Sequence, residues 1–210
     1  MFTGIIAAIG KITALTAAGE QAEAGVRVTV HANGLALADV QPGDSIAING
    51  ACMTVLSKTA DTFDVDVSRE SLNRTAGLET IGEVNLEKAL TLADRLGGHL
   101  VSGHIDGVGL VSSFAAVGES WELVIEAPPT LGKYLAYKGS VVVNGVSLTV
   151  NQVVDSARAC TFSINLIPHT VSVTTLKHLR AGDRVNLEID LIARYVERIL
   201  SSARSAGSPL

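Results

Sequence analysis

The sequence predicts an all-β chain built as a duplicated domain, with about six short antiparallel strands in each half and an amphipathic helix at the C-terminus. Three observations carry this expectation. Four sequence blocks recur in the same order roughly a hundred residues apart. The blocks are rich in Val, Ile and Thr, often alternate apolar with polar residues, and are bounded by Gly, Asn, Asp and Pro. One apolar stripe of helical period follows the last block.

The first block, TGIIAAIGKI (Thr3 to Ile12), returns as SGHIDGVGLV (Ser102 to Val111). The second runs from SIAI into NGACMTV (Ser45 to Val55) and returns as SVVV into NGVSLTV, with Asn144 lying 95 residues after Asn49. TFDVDV (Thr62 to Val67) pairs with TFSINL (Thr161 to Leu166). GEVNLE (Gly82 to Glu87) pairs with GDRVNLE (Gly182 to Glu188), one residue being inserted. One block alone would reflect shared β-propensity; four in order point to a duplicated unit of about 90 to 100 residues. About six strands per half suggest a small closed barrel or a sandwich, because closure leaves no unpaired edge.

Two stretches carry helical patterns. LEKALTLADRL (Leu86 to Leu96) ends at Gly97-Gly98, a stop signal, and is expected to be a helical connector between the halves. In DLIARYVERIL, residues Leu191, Ile192, Tyr195, Val196, Ile199 and Leu200 recur every three to four positions. That helix must bury its stripe either on its own domain or against another chain. The expected divisions are a first domain over 1–97, a second over 98–189, and a helix and tail over 190–210.

Composition excludes several function classes. Apolar residues at 47% against 18% charged are enough to bury real cores. A net charge of -5 without a Lys/Arg cluster, and 4% aromatics, lack the basic footprint and stacking platforms of a nucleic-acid binder. No run approaches the roughly 18 apolar residues of a membrane span, and Lys11 and Thr13 interrupt any signal-peptide pattern, so a cytoplasmic protein is expected. Cys52 and Cys160 are far apart and form no CxxC pair, which predicts free thiols. His99 and His104, five apart, have the wrong spacing for a shared helical face, so no metal site is expected.

The chemistry-bearing candidates stand where the repeat is imperfect. Cys52 matches Ser147, each followed two residues on by a threonine, Thr54 or Thr149. A lone cysteine is most often a small buried hydrophobe; beside an Asn-Gly turn it can equally present its thiol to a ligand, and both readings stay open. His104 occupies the place where the first copy has Ile5, which puts a titratable group on one of two matched positions. Acid/base work at one of two sites needs such an asymmetry.

MFTGII, the NGACMTV and NGVSLTV pair, GGHLVSGHIDG, YLAYKGS, INLIPHT and VNLEIDLIARYVERIL together resemble the riboflavin synthase alpha-chain family over nearly the whole length. The resemblance implies two six-stranded antiparallel Greek-key barrels and a C-terminal α-helix that ties three chains into a homotrimer. It also implies conversion of two molecules of 6,7-dimethyl-8-ribityllumazine into riboflavin and 5-amino-6-(ribitylamino)uracil with no cofactor, each active site lying between the N-terminal barrel of one chain and the C-terminal barrel of its neighbour. Some relatives occupy an icosahedral shell of lumazine synthase, which makes that enzyme a candidate partner.

Carried over by position, Cys52 and His104 match the family's active-site Cys and His, Ser147 and Thr149 its polar pair in the second barrel, Lys138 the Lys before that strand, and Asp190 a further candidate. Proton transfer is expected from His104 with Ser147 or Thr149, and Cys52 is expected to assist at the other lumazine. The implied ligand-contacting segments are Gly4, Ile5 and Ile6; Cys52, Met53 and Thr54; and Asp66, Val67, Ser68, Arg69, Glu70 and Ser71. In the second half they are Gly103, His104 and Ile105; Lys138; Ser147, Leu148 and Thr149; and Leu166, Ile167, Pro168, His169, Thr170 and Val171. Some relatives carry an acidic residue at His169, so the resemblance assigns that position ribityl contact through its backbone and no proton role. A second class has the same duplicated fold, the non-catalytic lumazine- or flavin-binding accessory proteins, which lack much of this polar set. A third, the flavin domain of a reductase, would need a nucleotide-binding βαβ partner with a Gly-rich loop that the sequence lacks.

Overall fold

The computed structural model describes residues 1–19, 25–156 and 159–205; the tail beyond Ser205 lies outside them. The first half contains β1 (Ala8–Ala17), β2 (Val26–His31), β3 (Ser45–Ile48), β4 (Ala51–Lys58), β5 (Thr62–Val67), α1 (Arg69–Arg74) and β6 (Gly82–Lys88). The second contains β7 (Gly107–Val117), β8 (Ser120–Ala127), α2 (Pro129–Gly132), β9 (Ser140–Val143), β10 (Val146–Asp155), β11 (Cys160–Leu166), α3 (Pro168–Ser172), a 3-10 turn over Thr175–His178 and β12 (Arg184–Ile189). Helix α4 (Leu191–Ser205) follows.

Each half closes into a six-stranded antiparallel barrel. The strand order around the first is β1-β2-β5-β4-β3-β6, and the second repeats it as β7-β8-β11-β10-β9-β12, a Greek key in which β2 returns beside β5. Period-2 alternation decides which side chains fill the interiors. In β4, Ala51, Met53 and Val55 point inward while Cys52 and Thr54 point out; in β10, Val146, Leu148 and Val150 point inward while Ser147 and Thr149 point out. Register shifts between Ile12 and Ala14 and between Val55 and Ser57 recur at Val111/Ser113 and Val150/Gln152. These bulges bend long strands enough to close the barrel.

The repeated Asn-Gly pair has two functions. It makes the β3–β4 and β9–β10 hairpins, with Asn49, Gly50, Asn144 and Gly145 all at positive φ, as a two-residue type I′ turn requires. It also joins the barrels. Asn85 Nδ2 donates to Asn144 O at 2.8 Å and Asn186 Nδ2 to Asn49 O at 3.0 Å, while the Asn49 and Asn144 side chains accept from the Asn85 and Asn186 amides. A Cβ on Gly50 would lie 2.7 Å from the Gly145 amide nitrogen, so nothing larger than glycine fits this seam. Phe2, Ala47, Val101 and Val142 bury a third apolar cluster, and Phe2 and Val101 exchange hydrogen bonds of 2.8 and 3.1 Å.

The segment leading into each barrel crosses to the other one. Ile6, just before β1, packs against the core of the second barrel, and its repeat-mate Ile105 packs against the core of the first. We call residues 1–7 and 101–106 the first and second arms.

The expected connector helix over Leu86–Leu96 does not form. Leu86 lies on β6, opposite Ala8 and Ile48, and fills the first barrel core. The Ala89 amide donates to Ser45 O and the Leu90 amide to Met1 O, so their hydrogen bonds run to distant backbone. A turn closed by the Asp94 carboxylate on Thr91 follows, and Leu92 and Leu96 face solvent. Local periodicity lost here to the pairing of β6, which buries Val84 and Leu86 on both repeats' common pattern.

Helix α4 docks by its polar side. Arg194 makes two hydrogen bonds to Asp106, at 2.7 and 2.9 Å, and Glu197 accepts from Lys133 at 2.6 Å. Ile192, Tyr195, Val196 and Ile199 are consequently exposed, the reverse of a helix that packs on its own domain. Among the described residues no helix is long and apolar enough to cross a membrane.

Candidate active site

Two matched seats form on the outer faces of β4 and β10, where the opposite arm lies against each strand. The Cys52 amide donates to Gly103 O at 2.8 Å, and the Ser147 amide donates to Gly4 O at 2.8 Å. Gly103 and Gly4 have φ of +79° and +76°, and a Cβ on them would sit 2.7 Å from Cys52 Cβ and 2.6 Å from Ser147 Cβ. Both the left-handed backbone and the close approach demand glycine.

The first seat gathers Cys52, Glu70, Ser71, Gly103, His104 and Ile105 around a half-open cavity of about 170 Å³. Ser68 supports it from below by capping α1, its hydroxyl accepting from the Ser71 amide at 3.1 Å. Arg69 opens that helix, and Glu70 pairs with Arg74. Asp66 belongs to a different contact. Its carboxylate takes two hydrogen bonds from Arg27, at 2.8 and 3.0 Å, which hold it below the usual carboxylate range.

The second seat centres on Ser147, whose hydroxyl lies 2.7 Å from His99 Nδ1. Burial pushes this imidazole below its ordinary value, and the charge of Asp190 opposes the fall. His99 Nε2 is buried and has no hydrogen-bond partner among the described residues. Asp190 also starts α4, its carboxylate accepting from the Ile192 amide at 2.8 Å. Thr149 is the next outward residue of β10, exposed and opposite Ser140. Ile5 is exposed at the end of the first arm, where the other seat has His104.

Lys138, in the turn before β9, has φ +63° where its repeat-mate Gly43 has +99°, and both amides make the same 2.8 Å bond, to Val150 O and Val55 O. A lysine held in left-handed backbone that the repeat gives to glycine is a strain that marks function more often than packing. Its ammonium lies 3.4 Å from Asn151 Oδ1 and above the Tyr137 ring. On the α3 side, Ile167 and His169 are exposed, Pro168 opens the helix, and Thr170 O accepts from the Thr174 hydroxyl at 2.7 Å. Met53, Val67, Leu148, Leu166 and Val171 turn into the barrel cores, Met53 also bordering the first cavity.

Within one chain, then, His104 shares a seat with Cys52, and Ser147 shares one with His99. On spacing alone His99 is considered only as a metal ligand beside His104; its place by Ser147 comes from the 97–99 turn, where a Cβ on Gly98 would strike the Ser147 hydroxyl at 2.8 Å. Both cysteines are free, and burial pushes the Cys160 thiol up to about 12, which leaves it inert. Another cavity, about 630 Å³, lies between the first arm and the 89–97 connector. Lys88 and Asp39 at its edge neutralise each other at 2.7 Å, so the smaller cavity, which brings Cys52 and His104 together, is the better candidate for chemistry.

The lumazine binding domain model matches the chain twice, over residues 3–89 and 102–190. The chain is 46% identical to the riboflavin synthase of Photobacterium phosphoreum over 95% of its own length and 89% of that protein. It is 42% identical to the riboflavin synthase of Mycobacterium bovis over 97% of its length and all of that protein. In three dimensions it is similar to the crystal structure of LumP complexed with 6,7-dimethyl-8-(1'-D-ribityl) lumazine, with a TM-score of 0.76 at 25% identity, covering 90% of this chain and 99% of that one. Two copies of one domain, each carrying a polar seat on the same outward strand, agree with these likenesses, and the chain belongs to the lumazine binding domain family, among its riboflavin synthases.

Proposed function

We propose that the protein is a riboflavin synthase. It takes two molecules of 6,7-dimethyl-8-ribityllumazine, moves a four-carbon unit from one to the other, and releases riboflavin and 5-amino-6-(D-ribitylamino)uracil, the last step of riboflavin biosynthesis. The observation that carries this reading is the pair of matched seats with unmatched polar groups, Cys52 with His104 and Ser147 with His99. Two identical molecules that must react differently need such a pair. Holding both turns a bimolecular encounter into an effectively intramolecular step.

The chemistry follows from the groups in each seat. At the second, a neutral His99 accepts the Ser147 hydroxyl proton at Nδ1 while Ser147 takes a proton from the ring methyl of its lumazine; the electron pair left behind spreads into the electron-poor pteridine. At the first, Cys52 and His104 assist addition to the other lumazine. Lys138, Thr149 and Asp190 supply hydrogen bonds and charge around the second seat. No cofactor enters, since the pteridine itself is the electron sink.

A homotrimer completes the site in this reading. The first seat's cavity of about 170 Å³ falls short of the roughly 300 Å³ that a pocket enclosing a small ligand takes, so that seat needs a second wall. The exposed stripe of α4 supplies an interface that would bring the second barrel of a neighbour against the first barrel of this chain. The reading assigns the protein to the cytoplasm and keeps lumazine synthase as its candidate protein partner.

The test is to mix purified protein with 6,7-dimethyl-8-ribityllumazine and follow riboflavin by absorbance. Steady formation is expected. Tight binding without riboflavin would instead make it a lumazine-binding accessory protein of the LumP kind. His104→Ala should lower turnover by well over about tenfold and Cys52→Ser by less, the usual scale for acid/base help. An unchanged rate in the His104 variant would remove that residue from the chemistry.

A further inference from the structure

The two arms lie outside the barrel ladders, so their backbone N–H groups need acceptors from elsewhere. Two buried carboxylates supply them. Glu188, on β12 and 1% exposed, accepts from the Ser102 amide at 2.7 Å, the Ser102 hydroxyl at 2.6 Å and the Gly103 amide at 2.9 Å. Glu87, its mate on β6, accepts from the Thr3 amide and hydroxyl at 2.7 Å each and from the Gly4 amide at 2.9 Å. Among the described residues no cation lies within ion-pair distance of either carboxylate. Burying an unpaired carboxylate is costly unless hydrogen bonds compensate it, and three charge-assisted bonds from one arm do so.

The peptide held in this way spans the two barrels. Gly103 donates its N–H to Glu188 of the second barrel and receives at its carbonyl the N–H of Cys52 in the first. His104 follows directly, its own amide donating to the Ser102 hydroxyl at 3.3 Å. Gly4 bridges Glu87 and Ser147 in the same manner.

We infer that Glu188 and Glu87 are positioning residues for the reaction proposed above: Glu188 holds the arm that sets His104 beside Cys52, and Glu87 holds the arm that sets Gly4 and Ile5 against Ser147. The inference rests on the riboflavin synthase reading for its kinetic consequences but not for its structural one. Burial raises both carboxyls above their ordinary values, so acid loosens the clamps before it protonates exposed carboxylates.

The experiment uses the full chain with Glu188→Gln and Glu87→Gln, each alone and combined with His104→Ala. Glu188→Gln should lower kcat about tenfold or more while the lumazine Kd stays within about threefold, the signature of lost placement at the reacting centre. With His104 already replaced, Glu188→Gln should cost less than about twofold further, whereas Glu87→Gln should retain its full effect. A Glu188 effect that multiplies undiminished in the His104→Ala background would overturn the assignment. Should Glu188→Gln not fold, Ser102→Ala removes one of the three donors and the support of the His104 amide; a smaller loss, again absorbed by His104→Ala, is expected, and an independent one counts against the inference. Amide hydrogen exchange reads the clamp without turnover: Glu188→Gln should speed exchange at Ser102 and Gly103 at least about tenfold and leave Thr3 and Gly4 unchanged. A wild-type protein that makes no riboflavin would end the functional reading, and exchange would still decide the clamp. Unchanged exchange at Ser102 and Gly103 would reject it even in an active enzyme.

Discussion

Replacing Gly103 by alanine tests whether the second arm is pressed against β4 as tightly as described. The added Cβ would lie 2.7 Å from Cys52 Cβ, 2.9 Å from Phe2 Cε2 and 3.1 Å from the Cys52 amide nitrogen, at φ +79°. None of these atoms ends a flexible side chain, and Phe2 is fully buried. Gly118, in the exposed β7–β8 turn at φ +60°, has nothing within 4 Å of its would-be Cβ and provides the control. Left-handed backbone costs a non-glycine residue roughly 1 to 2 kcal/mol, and the stiffer unfolded chain returns about 0.4 to 1 kcal/mol of that. Gly118→Ala should therefore lose about 0 to 1.5 kcal/mol. Gly103→Ala adds an overpacking cost of roughly 1 to 3 kcal/mol. For a chain of this length each kcal/mol shifts Tm by about 2 to 4 °C, so Gly103→Ala should melt roughly 2 to 12 °C below Gly118→Ala. The assay is thermal melting followed by circular dichroism, with riboflavin formation measured alongside. Gly103→Ala should also lose about tenfold or more in kcat, since displacing the arm moves His104, while Gly118→Ala keeps full activity. Equal melting temperatures and equal rates would refute the arm geometry.

Three further outcomes are expected. His99 has an imidazole lowered by burial, so below its ordinary value of about 6.5 the unfolded chain binds a proton that the folded chain does not, and stability should fall as pH drops through that window. Glu87 and Glu188, both raised, act with the opposite sign and cannot cause that loss; urea unfolding at several pH values should show a flatter slope for His99→Gln, and identical slopes would remove His99 as its source. Asn186→Ala leaves the buried Asn49 carbonyl and the part-buried Ala76 carbonyl and amide without the partners it supplied; at about 1 to 3 kcal/mol for the buried group, a loss of about 1 kcal/mol or more is expected in urea, and no measurable loss would contradict the seam. Ile199→Asp on the exposed stripe of α4 should convert the proposed trimer to monomers in sedimentation, with little change in the stability of either barrel; a trimer that persists would require a different interface.

Most of the architecture was legible because period-2 alternation and turn chemistry are local signals. The Asn-Gly hairpins, the inward faces of β4 and β10 and the stripe of α4 all follow from residue order. The 86–96 segment was misread because its leucines keep a helical period, while the feature that decides its structure, the pairing of Leu86 with Ala8 and Ile48, joins residues distant in sequence. His99 was missed for a related reason. It becomes a partner of Ser147 only when the 97–99 turn is laid against β10, a contact across 48 positions of the chain. The crossing of the arms was equally hidden, since the repeat places Gly4 with the first domain although its carbonyl serves the second.

The repeat itself separates scaffold from chemistry. Mates that kept their identity hold the two barrels together: Asn49 with Asn144, Asn85 with Asn186, Gly4 with Gly103, Glu87 with Glu188 and Ile6 with Ile105. A pseudo-symmetric seam must satisfy the same backbone groups twice, so substitution on one side alone leaves a buried partner unpaired. Mates that diverged lie outside the barrel cores: Cys52 against Ser147 and Ile5 against His104 at the seats, Gly43 against Lys138 in the turns before β3 and β9, and Glu70 against His169 on the short helices after β5 and β11. Divergence there spares the barrel cores, Cys52 touching only the seam cluster of Phe2, Ala47, Val101 and Val142, yet it makes the two seats unequal. Two copies of one substrate bound by identical seats would differ in nothing, and neither would be set up as donor or acceptor of the four-carbon unit. In the reaction proposed above, the Cys52 and Ser147 difference between NGACMTV and NGVSLTV gives each lumazine its own role while the hairpin and the seam stay the same.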